Sequence, residues 1–263
     1  MSASGHSTGG LNLRGAYAIF KNELMRAFRT VFGSILSPVI TTSLYFIVFG
    51  AAIGGRIDEI NGVSYGAFIV PGLLMLTLLS ESTSNASFGI YMPKFTGAIY
   101  ELLSAPVGTA ETLIGFVGAA AAKSLILAAI ILVTATLFVD YTIVHPLLAV
   151  GYIILVAAAF SLFGFILGIW ADGFEKLQIV PLLILTPLTF LGGTFYSIDM
   201  LGEPWRSIAM INPIVYLVNG LRWTFTGTSD FPIGLSLAMT LGFLALCIGI
   251  IAFIFKTGWR LRD

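Results

Sequence analysis

The sequence is short of charge. Asp, Glu, Lys and Arg make up 10% of its 263 residues, while 57% are apolar, and an ordinary soluble domain carries about a quarter charged residues. That is too little to dress a globular surface, which excludes a water-soluble enzyme of this length. There is one cysteine, Cys247, so no intramolecular disulfide is expected, and its apolar neighbours mark it as a packed side chain. The two histidines, His6 and His145, stand far apart and in no metal-ligand spacing, so no metal site is expected. Formal net charge is zero, 13 basic against 13 acidic residues, which argues against nucleic acid as a partner. No phosphate loop is present: Lys123-Ser124 follows Ala122 inside an apolar run and no glycine-rich turn precedes it. His-Glu-x-x-His is missing too. No catalytic residue is assigned, and no cofactor is expected to bind this chain.

What is there is hydrophobic length. A helix needs about 20 apolar residues to cross the ~30 Å hydrocarbon core of a bilayer, and six segments approach or exceed that: 32–53, 65–92, 113–139, 143–171, 177–195 and 231–255. Their polarity does not alternate, so they are helices and not barrel strands. Residues 1–10 lack the pattern of a signal peptide and read as a disordered cytoplasmic lead to a single transmembrane domain over 11–263. With six spans both termini share one side. On that side fall Arg14, Lys21, Arg26, Arg29, Lys94, Lys176, Lys256, Arg260 and Arg262, against Arg56, Arg206 and Arg222 on the other. Basic residues collect in the cytoplasm, so both termini are expected there.

Three segments are not plain spans. Leu13, Tyr17, Phe20, Leu24, Phe28 and Val31 recur at helical spacing while Arg14, Asn22, Arg26 and Arg29 point elsewhere. This predicts a basic amphipathic helix, suited to lying flat on an anionic leaflet as a topology anchor or as part of a docking surface. In the loop 93–106, Phe95, Ile99, Leu102 and Leu103 share one helical face, with Lys94 and Glu101 off it, Pro93 placed to start the helix and Pro106 to end it. Such a helix either caps the bundle or passes a partner's movement to the spans. Between the last two spans, 196–230 is too apolar for a solvated loop. Its pieces 208–211 and 214–225, broken at Asn212-Pro213, are too short to cross. They read as external re-entrant half-helices, with an interfacial belt of Trp205, Tyr216 and Trp223 as the alternative.

Some single residues stand out. Glu81 lies among Ser80, Ser82, Thr83, Ser84 and Asn85 inside the second span; an acid there costs ~2.5–3.5 kcal/mol to insert, which makes it a functional candidate beside the plainer reading of a hydrogen-bonded packing residue. Lys123 in the third span either snorkels to the headgroups or pairs with Glu81. Gly164 and Gly168 are spaced for close helix packing. Pro181 and Pro187 are placed to bend the fifth span.

The runs Phe68-Ile69-Val70-Pro71-Gly72, Tyr100-Glu101-Leu102-Leu103-Ser104-Ala105-Pro106, Thr186-Pro187-Leu188-Thr189-Phe190-Leu191-Gly192-Gly193-Thr194-Phe195-Tyr196 and Asn212-Pro213-Ile214-Val215-Tyr216-Leu217-Val218-Asn219-Gly220-Leu221-Arg222 occur in that order, with Trp205 between the last two. On them the chain resembles the ABC-2 type permeases, membrane subunits of ATP-binding-cassette exporters, over about 14–262. It looks closest to bacterial half-size permeases for lipo-oligosaccharides, polysaccharides and drugs. The resemblance implies an all-α fold of six transmembrane helices with an amphipathic connecting helix over 13–31, a coupling helix over 94–105 and external re-entrant helices over 202–225. It further implies a homodimer in the bacterial inner membrane with two cytoplasmic ATPase subunits, which hold the ATP and Mg.

The residues expected to act are then Lys94, Ile99, Tyr100, Glu101, Leu102 and Leu103 in coupling, Glu81, Asn85 and Lys123 on the transport path, and Gly192, Gly193, Asn212, Pro213, Tyr216 and Arg222 at an external gate. The cargo would be amphipathic, glycan- or lipid-linked, or a drug. An ion-coupled secondary transporter using Glu81 is the rival. It calls for inverted repeats and several midplane charges, and only Glu81 and Lys123 are present. A membrane-embedded enzyme lacks its catalytic cluster.

Overall fold

The computed structural model describes residues 12–29, 32–54, 57, 59–104 and 107–258. The expected lead over 1–10, and Val31, Arg56, Ala105, Pro106, Arg260 and Arg262, lie outside the described residues. Among the described residues six helices are long and apolar enough to cross a membrane, and the one sheet there is a two-stranded hairpin, Glu59–Ile60 with Val63–Ser64. Asn61 and Gly62 turn it with positive φ, which an Asn-Gly pair adopts readily.

Span 1 covers 32–53 and changes winding twice, with π-helical turns at Phe32–Leu36 and Phe46–Ile53 around an α-helical Ser37–Tyr45. Span 2 is Tyr65–Thr96, span 3 Thr109–Ala135, span 4 Pro146–Trp170 and span 6 Ile233–Thr257. Span 5, Phe174–Leu191, is α-helical at its ends and π-helical over Val180–Leu185. Pro181 lacks the N–H that a regular helix would use, and the Thr186 hydroxyl bonds the Pro181 carbonyl at 2.9 Å across the widened turn.

Spans 2 and 4 form the enclosed centre of the bundle. Lipid is as apolar as a leucine side chain, so burial alone does not drive helices together in a bilayer, and close approach does. Gly164 and Gly168 supply it: a side chain at either would run into the backbone of span 2, at Thr83 and at Ser87. Around that seam Phe68, Ile69, Leu73 and Leu78 pack with Leu127 and Ile131 of span 3 and Val156 and Phe160 of span 4. Cys247 is buried in a second cluster with Phe165 and Ile251.

Several expected boundaries move. Span 2 does not stop at Met92. Pro93 sits in its last turns, and the helix ends at Gly97, whose φ of 78° is left-handed and comfortable only for glycine. Lys94 and Phe95 therefore belong to span 2, and the loop helix is only Ile99–Ser104. Phe95 shares no face with Ile99: it is exposed and meets Tyr91 and Phe174, while Ile99 is buried. Span 3 starts and ends four residues earlier than its apolar run, because Glu111 and Thr112 form its polar first turn and the chain leaves the helix after Ala135.

The amphipathic helix, Leu13–Phe28, is present but does not stand free on a leaflet. It packs lengthwise on the first half of span 3. The Glu111 carboxylate accepts its Asn12 N–H at 3.0 Å, and side chains at Gly115 and Gly118 would meet Ile19 and Phe20. The strip against the bundle is Ala16, Ile19 and Glu23, whereas Leu13 and Tyr17 of the apolar stripe stay exposed. Arg26, expected to face away, turns inward to Glu23 at 2.7 Å and over the Phe88 ring.

Candidate functional site

Glu81 and Lys123 each lie halfway along their helices, spans 2 and 3, and the fold brings them together. Lys123 Nζ donates to Asn85 Oδ1 at 2.6 Å and stands 3.6 Å from Glu81 Oε2. Asn85 Nδ2 donates to the same Glu81 oxygen at 3.1 Å and to the Glu81 carbonyl at 2.7 Å. The spacing of Glu81 and Asn85 on one helix makes this possible, since residues four apart share a face. All three transport-path candidates thus form one cluster. Lys123 does not snorkel outward; its side chain is 5% exposed, while that of Glu81 is 23% exposed. Glu81 opens onto a cleft of about 230 Å³ between spans 1, 2 and 5. The neighbouring Ser82 and Thr83 hydroxyls do not serve Glu81: both are buried, with no hydrogen-bond partner among the described residues.

A second polar knot lies at the opposite end of the bundle from the amphipathic helix. There the half-helices Trp205–Ile211 and Pro213–Thr226 fold back between spans 5 and 6. Asn212 joins them. Its Nδ2 donates to the Leu188 carbonyl at 2.6 Å and its Oδ1 caps the second half-helix through the Ile214 N–H at 3.0 Å, with Pro213 in the first turn where its missing N–H costs nothing. Tyr216 bonds the Met210 carbonyl at 3.0 Å. Arg222 is fully buried. Its guanidinium lies 3.9 Å above the Phe68 ring, donates to the Gly193 carbonyl and stands 3.8 Å from Asp230. Burial pulls this guanidinium down to about 10, with the Asp230 carboxylate opposing, so it remains a cation at neutral pH.

Asp230 in turn accepts from the Ser197 hydroxyl at 2.8 Å and the Ile198 N–H at 3.0 Å, and Asn219 holds the Asp230 N–H at 2.8 Å. Asp230 and Ser197 were not among the residues singled out in the sequence, and Asn219 stood only within the run that carries the resemblance. Asp230 sits eight residues after Arg222 across a Gly-Thr-Ser turn, and that proximity was the available signal. The two half-helices also differ. The first exposes Trp205, Ile208 and Ile211 as an interfacial belt would, while the second is mostly buried as a re-entrant helix would be.

The expected coupling residues divide. Lys94 caps span 4 by donating to the Ile169 carbonyl at 2.9 Å; Ile99 is buried and Tyr100 exposed on the loop helix. Glu101, Leu102 and Leu103 are on that helix, with side chains outside the described ones.

The fold is a six-span bundle with paired charges inside it and short helices at both ends. The family model described as ABC-2 type transporter matches residues 14–226. The chain belongs to that family. As an ABC-2 permease it is the membrane subunit of an ABC transporter, whose ATPase is a separate subunit. The inner membrane transport permease YadH of Escherichia coli (strain K12) is 36% identical over 238 residues, covering 89% of this chain and 93% of that protein. Nodulation protein J of Rhizobium meliloti (strain 1021) is 25% identical over 243 residues, covering 91% and 90%.

Proposed function

We propose that this ABC-2 permease is the membrane half of an exporter, working as a homodimer with two copies of a cytoplasmic ABC ATPase in a bacterial inner membrane. Both termini, the amphipathic helix and the loop helix lie on the cytoplasmic side, in keeping with the excess of Lys and Arg there. ATP binding closes the ATPase pair beneath, and the loop helix after Gly97 receives that motion at the end of span 2. The amphipathic helix, fastened along span 3, forms the rest of the docking surface. Cargo moves between the two permease copies along spans 2 and 5 and leaves past the half-helix knot around Arg222, which acts as the external gate.

The observation that carries this reading is the Glu81–Asn85–Lys123 cluster, a charged constellation kept inside the bundle yet open to a cleft. Charges within a bundle are costly and mark transport paths by default. The test is isolation of the tagged chain from membranes that also contain its ATPase, followed by native mass spectrometry. A two-to-two assembly is the expected species. Recovery of single permease chains with no ATPase, under conditions that preserve other membrane assemblies, would contradict it.

A further inference from the structure

We propose that the cleft beside Glu81 binds the cationic, hydrogen-bond-donating end of an amphipathic cargo, with Glu81 as its counter-charge and Lys123 as a positioning residue. This rests on the permease reading and names the cargo chemistry of its site. The cleft is walled by Thr41 and Thr42 of span 1, Thr77, Ser80 and Glu81 of span 2, and Thr186 of span 5. Its volume of about 230 Å³ admits a head group and not a whole lipid.

The direction of the hydrogen bonds decides what fits. Thr77 donates to the Leu73 carbonyl at 3.2 Å and Thr186 to the Pro181 carbonyl at 2.9 Å, so both spend their protons on their own helices. Thr42 and Thr77 face each other at 3.5 Å, longer than an ordinary hydroxyl–hydroxyl bond, and the Thr77 proton is already committed. Thr77 and Thr186 therefore offer lone pairs, not protons, to a guest. Thr41 and Ser80 rotate to suit either role.

Glu81 completes this acceptor set. Lys123 gives its short bond to Asn85, and its 3.6 Å separation from Glu81 is too long for a hydrogen bond. Asn85 donates to Oε2, and Oε1 accepts no hydrogen bond from the described residues. The negative charge is fixed in place by Asn85 while one oxygen stays available. An ammonium group carries three donors and no acceptor, which matches this wall. A phosphate or carboxylate would meet Glu81 with the same sign of charge, and a sugar, whose hydroxyls donate as well as accept, would bring no charge to answer the carboxylate.

The test uses the permease–ATPase complex in nanodiscs of neutral lipid. ATP hydrolysis is followed while dodecylammonium, dodecyl maltoside or dodecyl phosphate is titrated in below its micelle concentration. Stimulation by dodecylammonium alone is expected. Glu81→Gln should raise its half-effective concentration about tenfold or more, as loss of a charge-assisted hydrogen bond does, and Thr77→Val about fivefold. Lys123→Met should raise the half-effective concentration of dodecylammonium in protein that still assembles with the ATPase, a readout that a purely structural role would not move, and Lys123→Arg, which keeps the positioning charge, should restore most of it. Stimulation by the maltoside or the phosphate, or a dodecylammonium response unchanged in Glu81→Gln and Thr77→Val, would overturn the assignment. If none of the three amphiphiles acts although hydrolysis still depends on the permease, the cargo chemistry is wrong and the permease reading stands. Hydrolysis that never depends on the permease would remove both.

Discussion

Glu81 and Lys123 can be told apart by what each leaves behind when removed. Lys123 is the more deeply buried partner, so deleting the carboxylate strands an ammonium inside the bundle. Breaking a buried pair from one side costs about 3–5 kcal/mol. Glu81→Leu should therefore lower the thermal midpoint of the detergent-solubilised protein more than Lys123→Met, which leaves Glu81 facing its cleft. The double variant should recover part of the loss, the signature of coupled residues. Strictly additive midpoint shifts would show that the two do not interact. At the opposite end, Arg222→Met removes the cation that holds Gly193, Phe68 and Asp230 together. The expected outcome is faster proteolytic cleavage of the segment 197–204, whose Ile198 is tied to Asp230. Unchanged cleavage would mean that the knot does not hold that segment.

Helices were legible in the sequence because apolar length reports a span directly, and all six were found. Their ends were less so. Pro93 reads locally as a helix start, but a proline in the last turns disturbs few bonds, and Gly97 with its left-handed φ sets the true end. The amphipathic stripe of 13–28 is real, yet which strip meets protein was decided by glycines of span 3, far away in sequence. The pairing of Glu81 with Lys123 was one of two readings of the sequence, and only packing selects it. In the Arg222–Asp230 knot, Arg222 and Gly193 were named for the gate and Asp230 was not, because the contacts that gather them come from three separate segments. At this scale, Gly164→Leu should prevent the close approach of spans 2 and 4 and abolish the folded protein, whereas Gly151→Leu, with open space around it, should be tolerated. Size-exclusion profiles of the two variants check this, and equal profiles would contradict the seam. Tyr100→Ala and Glu101→Ala on the loop helix should each leave the permease inserted but weaken co-purification of the ATPase. Full recovery of the ATPase by both variants would remove that helix from the interface.

For the whole molecule, the division of labour between chains follows from what the bundle holds and lacks. Among the described residues it holds charge pairs inside, Glu81 with Lys123 and Arg222 with Asp230, and the sequence carries no phosphate loop. A permease of this kind transmits energy that another subunit releases. The most direct measurement is ATP turnover by the highly purified chain, alone and after reconstitution with its ATPase. The expected result is no hydrolysis by the chain alone and hydrolysis in the assembly that depends on its presence. Nucleotide turnover by the isolated chain would contradict the account at its centre.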